Sequence, residues 1–315
     1  MIKIGVIGVG TMGENHARIN SEIKNVKLIG VSDVNEKVAK EVASRYNTDY
    51  FMDHLELLEK IDAVTIATPT TMHADVAIAA AEYGVHMLVE KPISNSLFYA
   101  DKMIKAASEN GVKLMVGHIE RFNPAVLKLK ELVNNEELGE IITISAKRVG
   151  PYHPRIRDVG IIIDLAVHDI DVMSYVYGNK IEEVYAIAGN HFHTKEDYAS
   201  ILLKFEKNRS GMIETNWLTP KKLRTLTVVG SGGVAEVNYI EQSLEVMKGE
   251  KVELIEVRKK EPLRNEIEQF VSSIIENKKP RPSGDDGKLN LCVAIAAINS
   301  YTMGRPFKLR DVEAC

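Results

Sequence analysis

Short, continuously apolar runs separated by amphipathic stretches occupy the first 120 residues. IKIGVIGV (2–9), VKLIGVSD (26–33), DAVTIAT (62–68), VHMLVE (85–90) and VKLMVGH (112–118) read as strands, too uniformly apolar to leave one face in water. Between them, apolar positions recur at helical spacing over Asn35–Tyr46, Met72–Tyr83 and Leu97–Asn110. Strand and helix alternating in this way imply a parallel sheet covered on both faces.

From about Arg121 the pattern changes. A helix follows Pro124, then a strand EIITISAKRV (140–149), a loop rich in Pro, Arg and Gly, and a helix from Asp164 to Tyr177. The next runs, such as YASILLKF (198–205), SGMIETNWL (210–218) and RTLTVVG (224–230), alternate apolar and polar residues. That is the signature of an antiparallel sheet with one covered face. Helices over Leu263–Glu276 and Leu289–Met303 close the chain, with no internal repeat or flexible linker. The expected fold is α/β followed by α+β. A doubly wound parallel sheet fills 1–120, a mainly antiparallel sheet fills 121–315, and the last helix is free to return to the first domain.

Composition agrees with this and narrows the function. A length of 315 residues suits two modest domains. With 45% hydrophobic and 27% charged residues the chain is globular, and a net charge of −4 argues against a nucleic-acid footprint while leaving room for a local basic patch. The cysteines, Cys292 and Cys315, form neither a disulfide framework nor a metal cluster and suit a reducing cytosol. No signal peptide or membrane-spanning stretch is legible, so a cytoplasmic location is expected.

GVGTMG (Gly8, Val9, Gly10, Thr11, Met12, Gly13) directly follows a predicted strand and opens a helix. Such glycines permit a tight turn, close approach of backbone to a pyrophosphate and tight helix–sheet packing. The helix start offers free N–H groups and partial positive charge to phosphates. Asp33 ends the second strand, 20 residues beyond Gly13, where a carboxylate binds ribose hydroxyls and repels a 2′-phosphate. No arginine stands beside it, so NAD is expected rather than NADP. GSGG (230–233) lies between strands and reads as a hairpin turn.

Ligands of such sheets bind beyond the carboxyl ends of the strands. TPTTMH, with Thr68, Pro69 and His73, and EKP, with Glu90, Lys91 and Pro92, both fall on that rim. They extend the expected cofactor site, and Lys91 is placed near the nicotinamide; a surface lysine before a turn proline is the plainer alternative. In DLAVHDID, Asp164 and His168 are four residues apart on a predicted helix and share a face. An imidazole with its ordinary pKa near ~6.5 and a carboxylate one turn away suit general acid–base work. His168, Asp169 and Asp171, and the HFH at His191–His193, lack the spacing of a metal site, and no metal is expected.

Together these residues resemble the Gfo/Idh/MocA oxidoreductase family. The resemblance spans nearly the whole chain: the glycine motif, Asp33, TPTTMHADVAIAAAEYGVHMLVEKP and the D-x-x-x-H pair in that order. It implies an N-terminal Rossmann domain and NAD(P)-dependent oxidation of a sugar or cyclic polyol. Lys91, Asp164 and His168 would be the catalytic and substrate-binding residues, the Lys91–Pro92 bond would be cis, and a homodimer or homotetramer would form through the antiparallel sheet. The chain departs from the family pattern before Asp164, where DVG replaces a triple glycine, and at Ala166, where glycine is common.

RVGPYHPRIRDVGIIIDLAVHDID looks most like the branch acting on C3 of UDP-N-acetylglucosamine. Independently, Lys147, Arg148, Arg155 and Arg157 cluster upstream of Asp164, and arginines suit bidentate binding of a diphosphate. A solvated basic loop is the alternative. Competing functions are an inositol or free-sugar dehydrogenase and a non-catalytic NAD-binding regulator.

Overall fold

In a computed structural model, residues 1–152, 159–178 and 180–315 are described. The chain divides into two compact units, Met1–His118 with Leu263–Lys288 and Ile119–Pro262 with Leu289–Cys315.

The first unit alternates β1 (Ile2–Ile7), α1 (Thr11–Glu22), β2 (Val26–Ser32), α2 (Glu36–Tyr46), β3 (Asp49–Phe51), α3 (His54–Leu58), β4 (Ala63–Ile66), α4 (His73–Glu82), β5 (His86–Glu90), α5 (Leu97–Glu109) and β6 (Leu114–Gly117). The sheet is parallel, in the order β3-β2-β1-β4-β5-β6. This is the doubly wound arrangement, and the strand order reverses direction between β1 and β4. Side chains cap the helix starts: Asn35 accepts from the Val38 N–H, and Ser96 from the Tyr99 N–H. Val6, Val9, Ala17, Val31, Val42 and Ala43 form the core between β1, β2, α1 and α2. Three-residue β3 and five-residue α3 are too short to show a period in the sequence.

The second unit holds α6 (Pro124–Asn134), β7 (Ile141–Pro151), α7 (Val167–Tyr177), β8 (Ile181–Gly189), β9 (Tyr198–Phe205), β10 (Arg209–Asn216), β11 (Leu218–Gly230), β12 (Gly233–Asn238), β13 (Ser243–Lys248) and β14 (Lys251–Ile255). After α8 (Pro262–Ile275) and α9 (Gly284–Met303), β15 (Phe307–Lys308) completes a nine-stranded sheet. Its order is β14-β13-β12-β11-β7-β10-β9-β8-β15, antiparallel except for the parallel β7–β10 pair. Residues of β9 alternate exposed and buried along its whole length, as a one-sided sheet requires. Gly230 pairs with Gly233, so GSGG is the hairpin turn expected between β11 and β12.

Two features were not expected in this form. The compact units divide the chain differently from 1–120 and 121–315: α8 and the start of α9 fall in the first unit, where Lys288 Nζ meets Asp101 at 2.7 Å and Met115 bridges to Ser283. The cysteines are also paired, Cys292 on α9 with Cys315, their Cα atoms 5.7 Å apart. The chain end returns to α9, a long-range contact that a count of two cysteines does not reveal.

Candidate active site

The glycine motif joins β1 to α1 at the point where the strand order reverses. Gly8 has φ +82°, and a Cβ there would lie 2.7 Å from the Thr68 backbone N. A Cβ on Gly13 would lie 1.8 Å from Gly8 O, so the helix closes directly on the turn. Around Gly10 there is nothing within 4 Å of such an atom, which leaves the exposed backbone approachable. The residues therefore fit a dinucleotide: a tight turn, a close helix and an open approach at the middle glycine. Exposed Thr11 and Met12 follow at the start of α1, whose first amides have no side-chain cap. Thr68 Oγ1, just past β4, is buried without a hydrogen-bond partner, and exposed Pro69 follows it. Asp33 is held at the end of β2, its Oδ2 accepting from Val9 N at 2.9 Å and its Oδ1 from Asn35 N at 2.9 Å.

Two residues expected at the cofactor site are held by internal contacts. His73 is 1% exposed; its Nδ1 lies 3.0 Å from Pro92 O and its Nε2 3.0 Å from Thr68 O. Its ring lies between the β4 loop and the EKP turn and, when neutral, donates to one of the two carbonyls; burial lowers its pKa despite both. Glu90 faces inward as well: its Oε1 accepts from His16 Nε2 at 2.8 Å and its Oε2 from the Lys91 backbone N–H at 3.2 Å. Lys91 itself is half-buried, and the Lys91–Pro92 bond is cis.

In the second unit, Asp164 sits in a π-helical turn, Ile162–Ala166, that runs straight into α7 with His168. The helix expected from Asp164 thus opens with a wider turn bonded i→i+5, a feature that recurs at functional sites. Both side chains are half-buried. Glu196 closes the helix start: its backbone O accepts from Ile161 N at 2.9 Å and its Oε1 from Ile162 N at 3.3 Å. A Cβ on Gly160 would lie 2.0 Å from that carboxylate, so this glycine is what lets Glu196 approach. Burial raises the Glu196 pKa. The adjacent Asp197 gathers the backbone N–H groups of His191, Phe192 and His193 on its Oδ2, which organises the HFH loop.

The arginines divide. Arg148, expected at a diphosphate, is 1% exposed and engaged within the protein. Its Nε and Nη2 grip Asp169 at 2.8 and 3.0 Å, its Nη1 meets Glu120 at 2.7 Å, and Tyr239 covers it. Burial opposes its charge, yet Asp169 and Glu120 outweigh burial and push its pKa well up. Arg121 grips Asp171 at 2.6 and 2.7 Å in the same way. Both acids of the HDID stretch are thus committed to arginines. Arg224 stands opposite Arg148 across the β7–β11 pairing, half-exposed and 3.6 Å from Glu120. Lys147 pairs with Glu214 at 3.0 Å, and Arg155 and Arg157 lie outside the described residues.

A family model for the NAD-binding Rossmann fold of GFO/IDH/MocA oxidoreductases matches residues 2–118, and the family's C-terminal domain model matches residues 126–236. The chain belongs to the Gfo/Idh/MocA oxidoreductase family. Two relatives match it over nearly their whole length. A UDP-N-acetylglucosamine 3-dehydrogenase of Acidithiobacillus ferrooxidans is 30% identical over 307 residues, 94% of this chain and 95% of the relative. A myo-inositol 2-dehydrogenase of Thermotoga maritima is 28% identical over 99% of both chains. A solved structure of the Acidithiobacillus enzyme superposes with a TM-score of 0.89 at 29% identity, covering 95% of this chain and 97% of that one.

This Gfo/Idh/MocA chain therefore carries an NAD(P)-binding Rossmann domain and oxidoreductase machinery. The sequence does not announce His16, Glu120, Glu196 or Arg224, which shape the surroundings of the expected site residues. Each acts through a contact with a residue distant in the sequence, and none sits in a motif of its own. Only IERF, which puts Glu120 and Arg121 directly after an apolar strand, offers a signal.

Proposed function

We propose that the protein is an NAD-dependent dehydrogenase that oxidises a secondary hydroxyl of a nucleotide sugar, C3 of UDP-N-acetylglucosamine being the best-supported position. The observation that carries the reading is the near-full-length likeness, in sequence and in fold, to an enzyme of that name. When bound, NAD accepts the hydride. Gly8, Gly10 and Gly13, the first amides of α1, Thr68 and Asp33 are the residues that would hold it. The Lys91 ammonium donates a hydrogen bond to the reacting hydroxyl and stabilises alkoxide character as it develops. His168 takes the hydroxyl proton, and Asp164 orients its imidazole. Arg155, Arg157 and the half-exposed Arg224 supply positive charge for a diphosphate.

Inositol oxidation is the second reading, favoured by the Thermotoga relative. The two separate in a thermal-shift assay with NAD present. UDP alone raises the melting temperature if the nucleotide-sugar reading holds, because a ligand of the folded state stabilises it by mass action. A shift with myo-inositol and none with UDP or UDP-N-acetylglucosamine favours inositol. No helix among the described residues is long and apolar enough to cross a membrane. We also infer a homo-oligomer. The uncovered face of the nine-stranded sheet supports the assembly, since Ile187, Tyr198, Leu202 and Met212 share it and are 40–59% exposed.

A further inference from the structure

Three elements of the first unit converge on the residue before Lys91. His16 lies on the inward face of α1, one turn past Gly13, and is 0% exposed. Its Nε2 donates to Glu90 Oε1 at 2.8 Å, and Glu90 Oε2 accepts the Lys91 backbone N–H at 3.2 Å. Glu266, on α8, is equally buried. An oxygen of each carboxylate and a nitrogen of the His16 ring lie within 4.8 Å of one another. On the other side, Gly117 pairs with Glu90 across β5–β6, and a Cβ there would lie 3.3 Å from Glu90 Oε2. The carboxylate is largely covered, with its side chain 12% exposed.

Burying a carboxylate in a core is costly unless hydrogen bonds and opposite charge compensate it. Burial by itself would raise the Glu90 pKa. The His16 hydrogen bond and charge, the Lys91 charge and the Lys91 N–H together outweigh that and hold the carboxyl below its usual range. Glu90 is therefore anionic, and its anion is spent on two contacts: one to the helix that opens at the glycine motif, the other to the backbone of Lys91. An apolar residue at the end of β5 would fill the same space. It would leave both contacts unmade.

We propose that His16 and Glu266 are positioning residues for Lys91: His16 fixes the Glu90 carboxylate, Glu266 flanks the same ring, and Glu90 sets the backbone from which Lys91 reaches the reacting hydroxyl. The helix whose N-terminus would receive the dinucleotide phosphates thereby also sets the lysine. The inference rests on the proposed role of Lys91, and its test includes a readout that needs no substrate.

The variants are His16→Leu, His16→Gln and Glu266→Gln; glutamine at 16 keeps an N–H donor for Glu90. Amide hydrogen exchange at Lys91 is measured first. His16→Leu accelerates it roughly tenfold, the equivalent of about one net hydrogen bond, while His16→Gln stays near wild type and Glu266→Gln falls between. With the sugar substrate in hand, His16→Leu lowers kcat about a hundredfold, as expected for a misplaced catalytic group. KM and NADH affinity are unchanged, and glutamine restores most of the rate. Unchanged exchange at Lys91 in His16→Leu overturns the proposal. So does a glutamine variant no better than leucine, or a stoichiometric divalent metal in the purified protein that His16→Gln removes. If the wild type oxidises no sugar, the dehydrogenase reading falls while the exchange result still decides whether His16 sets Lys91.

Discussion

At the scale of single residues, Asp33 has both carboxylate oxygens anchored to backbone N–H groups at the end of β2. An anchored carboxylate cannot swing aside for a 2′-phosphate, and Val34 beside it is 92% exposed with no arginine adjacent in the sequence. The wild type should bind NAD more tightly than NADP in calorimetric titrations, and Asp33→Ala should narrow the gap. Equal affinities in the wild type would refute the assignment. Lys91→Met should lower turnover by orders of magnitude and leave NADH affinity near wild type; near-normal turnover would return Lys91 to an ordinary turn residue. Residues bearing local geometry were legible in the sequence, because Gly8 and Gly13 are demanded by contacts within one turn and its neighbouring strand. Arg148 was not. Its role depends on Asp169, 21 residues away, and Glu120, 28 residues away, and on a burial that no local pattern announces.

At the scale of elements, His73 ties the loop after β4 to the turn after β5. Burial depresses its pKa, so the unfolded chain binds a proton that the native imidazole resists. Stability is therefore present above the unfolded value of about 6.5 and is lost as pH falls below it. Denaturant titrations of the wild type should show that loss, and His73→Gln should flatten it. An identical pH dependence in the variant would remove His73 from the account. The strands and helices of the first unit were legible because β1, β2, β4, β5 and β6 are buried on both sides and helical periods separate them. The π-helical turn at Ile162–Ala166 was not, since its carboxylate cap comes from Glu196 in a loop that the local sequence does not predict.

At the scale of the whole molecule, the sequence shows the change from alternating strands and helices to antiparallel strands, but not the return of α8 to the first unit. That return depends on tertiary features such as the Arg264–Glu22 ion pair and the burial of Glu266 within 4.8 Å of His16 and Glu90. The uncovered sheet face leads to a further expectation. Leu202 lies at 51% exposure among apolar neighbours, and a charge there would have to be buried in a face-to-face assembly. Leu202→Glu should convert an oligomer to a monomer in light scattering, whereas a wild-type monomer would refute the sheet-mediated assembly. Oxidation of a nucleotide sugar by this chain can be observed directly. Purified protein is incubated with NAD and UDP-N-acetylglucosamine, and NADH absorbance is followed while mass spectrometry and NMR identify the product. NADH should form in step with a 3-keto nucleotide sugar, and neither product should appear with Lys91→Met. Oxidation of myo-inositol or free glucose with none of the nucleotide sugar would contradict it.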